Sequence, residues 1–247
     1  MILVGIDDTD IPNSRGTNQL ARRIVSEISE QWQCIRIVRH QLLFDPRVPY
    51  TSKNGSASIA LELRSELSRS EVDAAEKKAA TNSLLPTFRR LMMDDFIPGS
   101  DPGLCLLTET CPPEVINWGH RCQQEIVSTA EAYAIAEQTG LHLESLGGTE
   151  DGVIGALAAI GLATTENDGR IVQLGEWPEE LSGPQSVAQI NQRGVIVREV
   201  QSNSEITQGT IDVGKKLRPN LRDGSAVLFV ERETQCASEN YRAIKKP

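Results

Sequence analysis

The chain has 247 residues, a formal charge of −9, 39% hydrophobic residues and only 4% aromatics. These values describe a globular chain of one large or two small domains and exclude a disordered or fibrous one. They also exclude a protein that grips nucleic acid over its whole surface, which needs Lys and Arg set against phosphates.

The acidity is local. Residues 1–100 hold 13 basic and 13 acidic side chains, residues 101–200 hold 4 and 15, and residues 201–247 hold 8 and 6. No apolar run approaches the ~20 residues of a membrane span, and Met1 runs into Ile2-Leu3-Val4-Gly5-Ile6 without a basic leader. Cys34, Cys105, Cys111, Cys122 and Cys236 are odd in number and contain no Cys-x-x-Cys pair, so a reducing, cytoplasmic setting is expected and a disulfide framework is not. Cys105, Cys111, His120 and Cys122 lack the paired ligand spacing of structural zinc sites and read as ordinary thiols and an ordinary histidine.

In chain order, residues 1–6 read as a buried strand, and 17–32 as a helix with Leu20, Ala21, Ile24, Val25, Ile28 and Trp32 on one face. A second strand is expected over 34–44, a polar loop over 45–55 and an alternating strand over 56–63. Two helices are expected at 68–80 and 84–93, a proline- and glycine-rich crossing at 97–113, and one helix from 113 to 139. A strand at 141–146 and a glycine-rich turn at 147–152 lead into 153–163, a helix apolar on nearly every side that must be buried. Strands at 170–174 and 194–200 follow, and 206–232 reads as short strands around a polar turn at 220–224. The order fits an α/β (α+β) fold, with domains expected at 1–100 and 101–200 and a small C-terminal β segment at 201–247.

The chemistry concentrates after the first strand, in Asp7-Asp8-Thr9-Asp10. Three carboxylates in four residues repel one another and invite a hard cation. Mg²⁺ takes one or two such carboxylates and leaves coordination sites for water and substrate phosphates. Thr9 can orient a carboxylate, and Thr17 reads as the N-cap of the following helix, whose free amides suit a phosphate. Arg36, Arg39, His40, Arg47 and Lys53 form a basic stretch, from which Arg47 and Lys53 are selected as phosphate ligands, with Tyr50 placed to stack on a base. His40 reads as a packed, hydrogen-bonded histidine. The turn at Gly147–Gly152 places Gly152 at the start of the buried helix as a further phosphate contact.

These segments together resemble the archaeal tRNA-isoleucine 2-agmatinylcytidine synthetases. The shared features are Gly5-Ile6-Asp7-Asp8-Thr9-Asp10 with Thr17, the stretch from Pro46 to Ala57 with Pro49-Tyr50, and Gly152-x-Ile154-Gly155-Ala156-Leu157-Ala158-Ala159-x-Gly161. The resemblance spans about residues 1–165. It implies an atypical kinase-like domain followed by a ferredoxin-like domain, with Asp7, Asp8 and Asp10 holding Mg²⁺ and the phosphates of ATP near Gly152.

The chain departs from that family in lacking a zinc ribbon and the length for a full OB-fold, in having Glu150-Asp151 before the buried helix, and in Thr51. The expectation is therefore a shortened relative, a phosphotransferase or ATP-driven ligase, that acts on a small-molecule acceptor in preference to tRNA. A homodimer is the commonest assembly. Two other readings stand beside this one. A haloacid-dehalogenase-like phosphatase would use Asp8 as nucleophile, Asp10 as general acid and Asp94-Asp95 as a metal pair. A non-catalytic nucleotide-binding module would use the acidic middle region to hold a basic partner.

Overall fold

The computed structural model describes residues 1–48, 54–64, 74–176, 180–233 and 240–244. The chain divides into two compact units, Met1–Thr165 and Glu166–Pro247. The sequence reading divides it at 100 and 200 instead. The difference has a plain cause, because residues 103–164 close directly onto the first strand.

The first unit is built on a five-stranded antiparallel sheet. Its strands are β1 (Ile2–Asp7), β2 (Trp32–Arg39), β3 (Ala57–Leu63), β4 (Gly103–Leu107) and β5 (His142–Ser145), in the order β5-β4-β1-β3-β2. β1 is central and buried, as its unbroken apolar run requires. Its helices are α1 (Thr17–Glu27), α2 (Ala74–Asp94), α3 (Pro113–Gln124), α4 (Thr129–Thr139) and α5 (Gly152–Thr164). Strand alternation turns Leu3, Gly5 and Asp7 toward α5 and Ile2, Val4 and Ile6 the other way. On the α5 side, Leu3, Ala60, Cys105 and Leu107 pack with Val115 and Trp118 of α3, Ala132 of α4, and Val153, Ala156, Leu157 and Ile160 of α5. α1 buries Leu20, Ala21, Ile24 and Val25, and packs with β2, β3 and α2.

α5 has the burial its composition predicts, with every residue from Gly155 to Ala163 buried. Its lack of bulk permits very close packing. A Cβ on Gly5 would lie 2.0 Å from the Ala156 carbonyl oxygen, and one on Gly161 would lie 2.0 Å from that of Val115.

Several elements differ from the sequence reading. β4 lies inside the expected crossing loop, since five residues between Pro102 and Pro112 suffice to pair with β1. α2 runs as one helix through Pro86 where two were expected. The helix expected from 113 to 139 is broken at Glu125, whose backbone is extended, and restarts at Ser128. There the Ser128 side chain accepts from the Glu131 N–H while the Glu131 carboxylate accepts from the Ser128 N–H. Ser128→Ala removes half of this reciprocal cap and is expected to lower stability by about 1 kcal/mol in urea melts. An unchanged midpoint would show that α4 is held by packing alone.

The second unit is predominantly β. Its strands are β6 (Arg170–Leu174), β7 (Pro184–Ser186), β8 (Val195–Glu199), β9 (Thr210–Asp212), β10 (Asn220–Arg222), β11 (Ser225–Arg232) and β12 (Asn240–Ala243), with the short α6 (Val187–Asn191). β11 is its spine. β8 pairs along one edge of it in parallel, while β10 and β12 share the other edge, at its start and its end. Asp223 and Gly224, both at positive φ, turn β10 into β11, the Asp-Gly chemistry that tight hairpins favour. Among the described residues, no helix is long and apolar enough to cross a membrane.

Candidate functional site

β1 delivers Asp7 at its last position, and the chain then turns sharply. Asp8 sits at φ 50, a left-handed conformation that Asp tolerates better than most residues. Thr9 is buried, and its hydroxyl donates to the Thr17 hydroxyl at 3.1 Å. Ser14 closes the loop, its N–H donating to the Ile11 carbonyl at 3.0 Å. Asp10 returns beside Gly16, where its Oδ2 lies 3.6 Å from the position a Cβ would take.

Two distant segments complete the site. The Asp101 N–H donates to the Asp8 carbonyl at 3.0 Å, which ties the residues just before β4 to the acidic loop. The Asp101 carboxylate accepts from the N–H and the hydroxyl of Thr149. That hydroxyl lies between Asp101 Oδ2 at 3.0 Å and Asp151 Oδ2 at 3.2 Å. Asp7 rests against the start of α5. A Cβ on Gly155 would lie 1.8 Å from Asp7 Oδ2, so the missing side chain makes the room that the carboxylate occupies.

The electrostatics follow from this crowding. Burial, then the charge of Asp8, push the Asp7 carboxyl up to about 7; the Asp8 N–H pulls the other way, followed by a weaker push from Asp10 and a weaker pull from Arg39. Burial, then the charges of Asp101, Asp10 and Asp151, push Asp8 up to about 7. Burial lowers the Arg39 guanidinium, which Asp7 only partly offsets. The site holds more negative charge than its own cation balances.

Asp7, Asp8, Asp10, Asp151 and Gly155 line one open cleft of ≈ 180 Å³. The β2–β3 hairpin forms a second wall. It runs on past the end of β1, with the His40 N–H donating to the Ser56 carbonyl at 2.9 Å and the Leu42 N–H to the Asn54 carbonyl at 3.1 Å. Leu42, Leu43, Arg47, Val48, Asn54 and Gly55 face the cleft from this hairpin, and Glu125, Ile126 and Val127 face it from the α3–α4 connection.

The predicted site residues fare differently. Asp7, Asp8 and Asp10 share the cleft as expected from their spacing. Thr9 and Thr17 do not line it and are engaged with each other. Thr17 is also not the N-cap, a position taken by Gly16 without any side-chain cap. Arg47 reaches the cleft, but its guanidinium is gripped by Asp45 through two bonds of 2.8 Å, which hold the Asp45 carboxyl down near 2. Gly152 is a packing position, because a Cβ there would lie 1.9 Å from the Asp101 carbonyl oxygen. Tyr50 and Lys53 lie outside the described residues. His40 is fully buried with its Nε2 2.8 Å from Ser58 Oγ, the structural role its sequence context suggests.

Three residues were missed. Arg39, passed over in favour of Arg47, is the cation whose field reaches Asp7. Asp101 had no motif to mark it, and Gly155, although inside the Gly152–Gly161 run, was read there as a packing position; both roles arise from β4 and α5 folding onto β1.

Mg²⁺, expected from the acidic motif, fits this donor set. The ligands on offer are hard carboxylate oxygens, and a cation would favour the charged forms of Asp7 and Asp8, which burial first and the neighbouring carboxylates second raise to about 7. Among the described residues, no three His, Cys, Asp or Glu side chains are gathered into a metal-holding group. Such a site suits an ion that takes one or two protein carboxylates and completes its shell with water and phosphate.

No family model matches the chain. The chain does resemble the tRNA(Ile2) 2-agmatinylcytidine synthetases. It is 25% identical over 162 residues to that of Pyrococcus horikoshii, covering 65% of this chain and 35% of the relative. It is 29% identical over 164 residues to that of Thermococcus sibiricus, covering 64% and 34%. The chain thus spans about a third of the length of the curated relatives it matches. In fold it is similar to a tRNA fluorescent labeling enzyme, with TM-score 0.52, 21% identity and coverage of 65% of this chain and 35% of that one. It is similar to the same degree, with TM-score 0.52, 21% identity and coverage of 65% and 36%, to the synthetase in complex with tRNA(Ile2) and ATP.

The preference for a small-molecule acceptor over tRNA is corrected by these findings. The matched relatives are named for tRNA(Ile2), and solved neighbours include complexes with that tRNA. The departures at Thr51 and Glu150-Asp151 do not outweigh that.

Proposed function

We propose that the chain binds ATP at the acidic loop, with Mg²⁺ held by Asp7 and Asp8 and Asp10 beside them, and uses it to activate a tRNA nucleoside for ligation. The observation that supports this reading best is the convergence of the acidic loop on the first turn of α5, inside the segment shared with the tRNA(Ile2) 2-agmatinylcytidine synthetases. On this reading, residues 1–100 are the kinase-like part, and the ferredoxin-like part is read over 101–165, up to the end of the first compact unit.

Each residue then has a role. Asp7 and Asp8, near neutrality without a cation, ionise fully when one is present and become its ligands, with Asp10 beside them at the start of α1. The ion, when bound, screens the phosphate charges so that a nucleophile can approach. Asp101 and Thr149 hold the Asp8 backbone and the α5 approach in place. Arg39 moderates the charge on Asp7 from the hairpin side.

The phosphatase alternative would require Asp94 and Asp95 beside Asp8. Instead Asp95 pairs with Arg23 and Asp94 with Arg90, and neither lines the cleft.

Titration calorimetry with ATP and Mg²⁺ tests the proposal. Wild type is expected to bind, and Asp8→Asn to bind at least tenfold more weakly. Unaltered binding by the variant would remove the proposal. Gel-shift assays with tRNA address the acceptor, and the complex is expected to weaken as salt rises.

A further inference from the structure

The face of a central sheet that packs on an apolar helix is expected to be apolar, yet β3 and the residue leading into it place two buried hydroxyls there. Register fixes their side. Leu3 pairs with Ala60 and Gly5 with Ser58, and Leu3 and Ala60 share a cluster with α5. β1 and β3 pair as far as Ile6 and Ala57, so the next residues across are Asp7 and Ser56. Alternation puts Ser56 on the α5 side with Ser58, where Asp7 meets Gly155. Asn54, two residues earlier, lines the cleft, whereas Ser56 is 0% exposed. Ser56 thus belongs to the floor beside the Asp7 carboxylate.

The two hydroxyls differ in how they are used. Ser58 Oγ lies 2.8 Å from His40 Nε2. Ser56 Oγ has no hydrogen-bond partner among the described residues. His40 is directly across from it and its N–H donates to the Ser56 carbonyl, but the imidazole Nε2 is engaged by Ser58. A buried hydroxyl without a partner is costly, and folded chains retain few of them. Packing alone would be served by alanine, as it is at Ala57 and Ala60 of the same strand.

Asp7 has the complementary need. Its carboxyl receives the Asp8 N–H from the backbone, and an ionised carboxylate offers about four acceptor sites. Carboxylates that ligate a metal are themselves held by hydrogen bonds, which set the direction of the ligating oxygen. Residues directly across an antiparallel pair have Cβ atoms ~4.5–5.5 Å apart. The Ser56 hydroxyl closes that span by turning about χ1 from one staggered position to another, and no existing bond is broken.

We infer that Ser56 is a positioning residue for Asp7, its hydroxyl donating to one carboxylate oxygen and leaving the other aimed at the cation. The inference rests on the reading of Asp7 as a Mg²⁺ ligand and adds the group that orients it. It also accounts for a fully buried serine at a position where a hydroxyl otherwise only costs stability.

Mn²⁺, which shares the preference of Mg²⁺ for oxygen ligands, serves as the probe. The full chain is titrated with it, with and without ATP, and the free ion is counted by electron paramagnetic resonance. Ser56→Ala is expected to bind Mn²⁺ at least tenfold more weakly than wild type, the loss that follows removal of a group orienting a ligand. Its melting temperature in chelator should equal or exceed that of wild type, because the partnerless hydroxyl is gone. A packing role would not combine these two results. Undiminished Mn²⁺ affinity in Ser56→Ala would overturn the inference, and so would a loss of affinity accompanied by a lower melting temperature. Asp8→Asn separates it from the reading beneath it. If that variant loses Mn²⁺ and Ser56→Ala does not, the cation site stands and the role of Ser56 falls. Failure of wild type to bind Mn²⁺ under either condition would remove both.

Discussion

Gly5→Ala is expected to destabilise the chain by about 3 kcal/mol, at the upper end for overpacking of a core. The added methyl would be placed 2.0 Å from the Ala156 carbonyl oxygen. That atom belongs to the backbone of a helix buried on every side, so neither partner has an easy way to move. β1 would be pushed away from α5, and Asp7, two residues further on the same face, would lose its seat on Gly155. Gly155→Ala makes the informative contrast. Its methyl would meet a carboxylate oxygen at 1.8 Å, and a side chain can rotate where a backbone cannot. Its expected result is a smaller loss in urea melts together with weakened binding of Mg²⁺ and ATP. Equal stability of Gly5→Ala and wild type would show that the strand and helix are not in the close contact described.

Asp7→Asn is expected to stabilise the cation-free chain at pH 8 by roughly 2–4 kcal/mol, from the energy of a pKa shift of this size. The folded chain holds the Asp7 carboxyl at about 7 against an ordinary value of 3.8. Between those values the folded state keeps a proton that the unfolded state has released. Its stability is therefore full below the lower value and is lost as pH rises through the upper one. In chelator, wild type should lose stability from pH 4.5 to pH 8, and Asp7→Asn should show about half that decline because Asp8, similarly placed, remains. The two carboxyls titrate as a pair, so the double replacement is needed to remove the slope. A variant with the same slope as wild type would sink the claim that Asp7 is held near neutrality. The same substitution trades binding for stability, as expected where charge is concentrated for function.

Much of this was legible in the residues themselves. The apolar run of β1, the acidic loop and the small, uniformly hydrophobic α5 are local patterns, and each is found where its composition places it. What escaped were features created by pairing at a distance. β4 is only five residues long among prolines and glycines, and nothing in Gly103–Leu107 declares that it will lie beside β1. Asp101 becomes a neighbour of Asp8 only through that pairing. Arg39 and Arg47 are equally basic in the sequence, and the fold distinguishes them by giving Arg47 to Asp45 and leaving Arg39 near Asp7. The break before α4 was in fact readable, since Ser128 and Glu131 carry the spacing of a capping box, but the continuous helical pattern on both sides masked it.

The central position of β1 also orders events during synthesis. Its neighbours are supplied by residues 57–61 and 103–107, and its covering helix ends only at Thr164. The carboxylates leave the ribosome ahead of the strands and helix that enclose them, and the floor beneath them arrives roughly 150 residues later. At ~5–20 residues per second this is a wait of about eight to thirty seconds. Throughout that interval an apolar strand bordered by three acidic residues must remain unpaired on at least one face, and the charges at its end help to keep it from joining another chain.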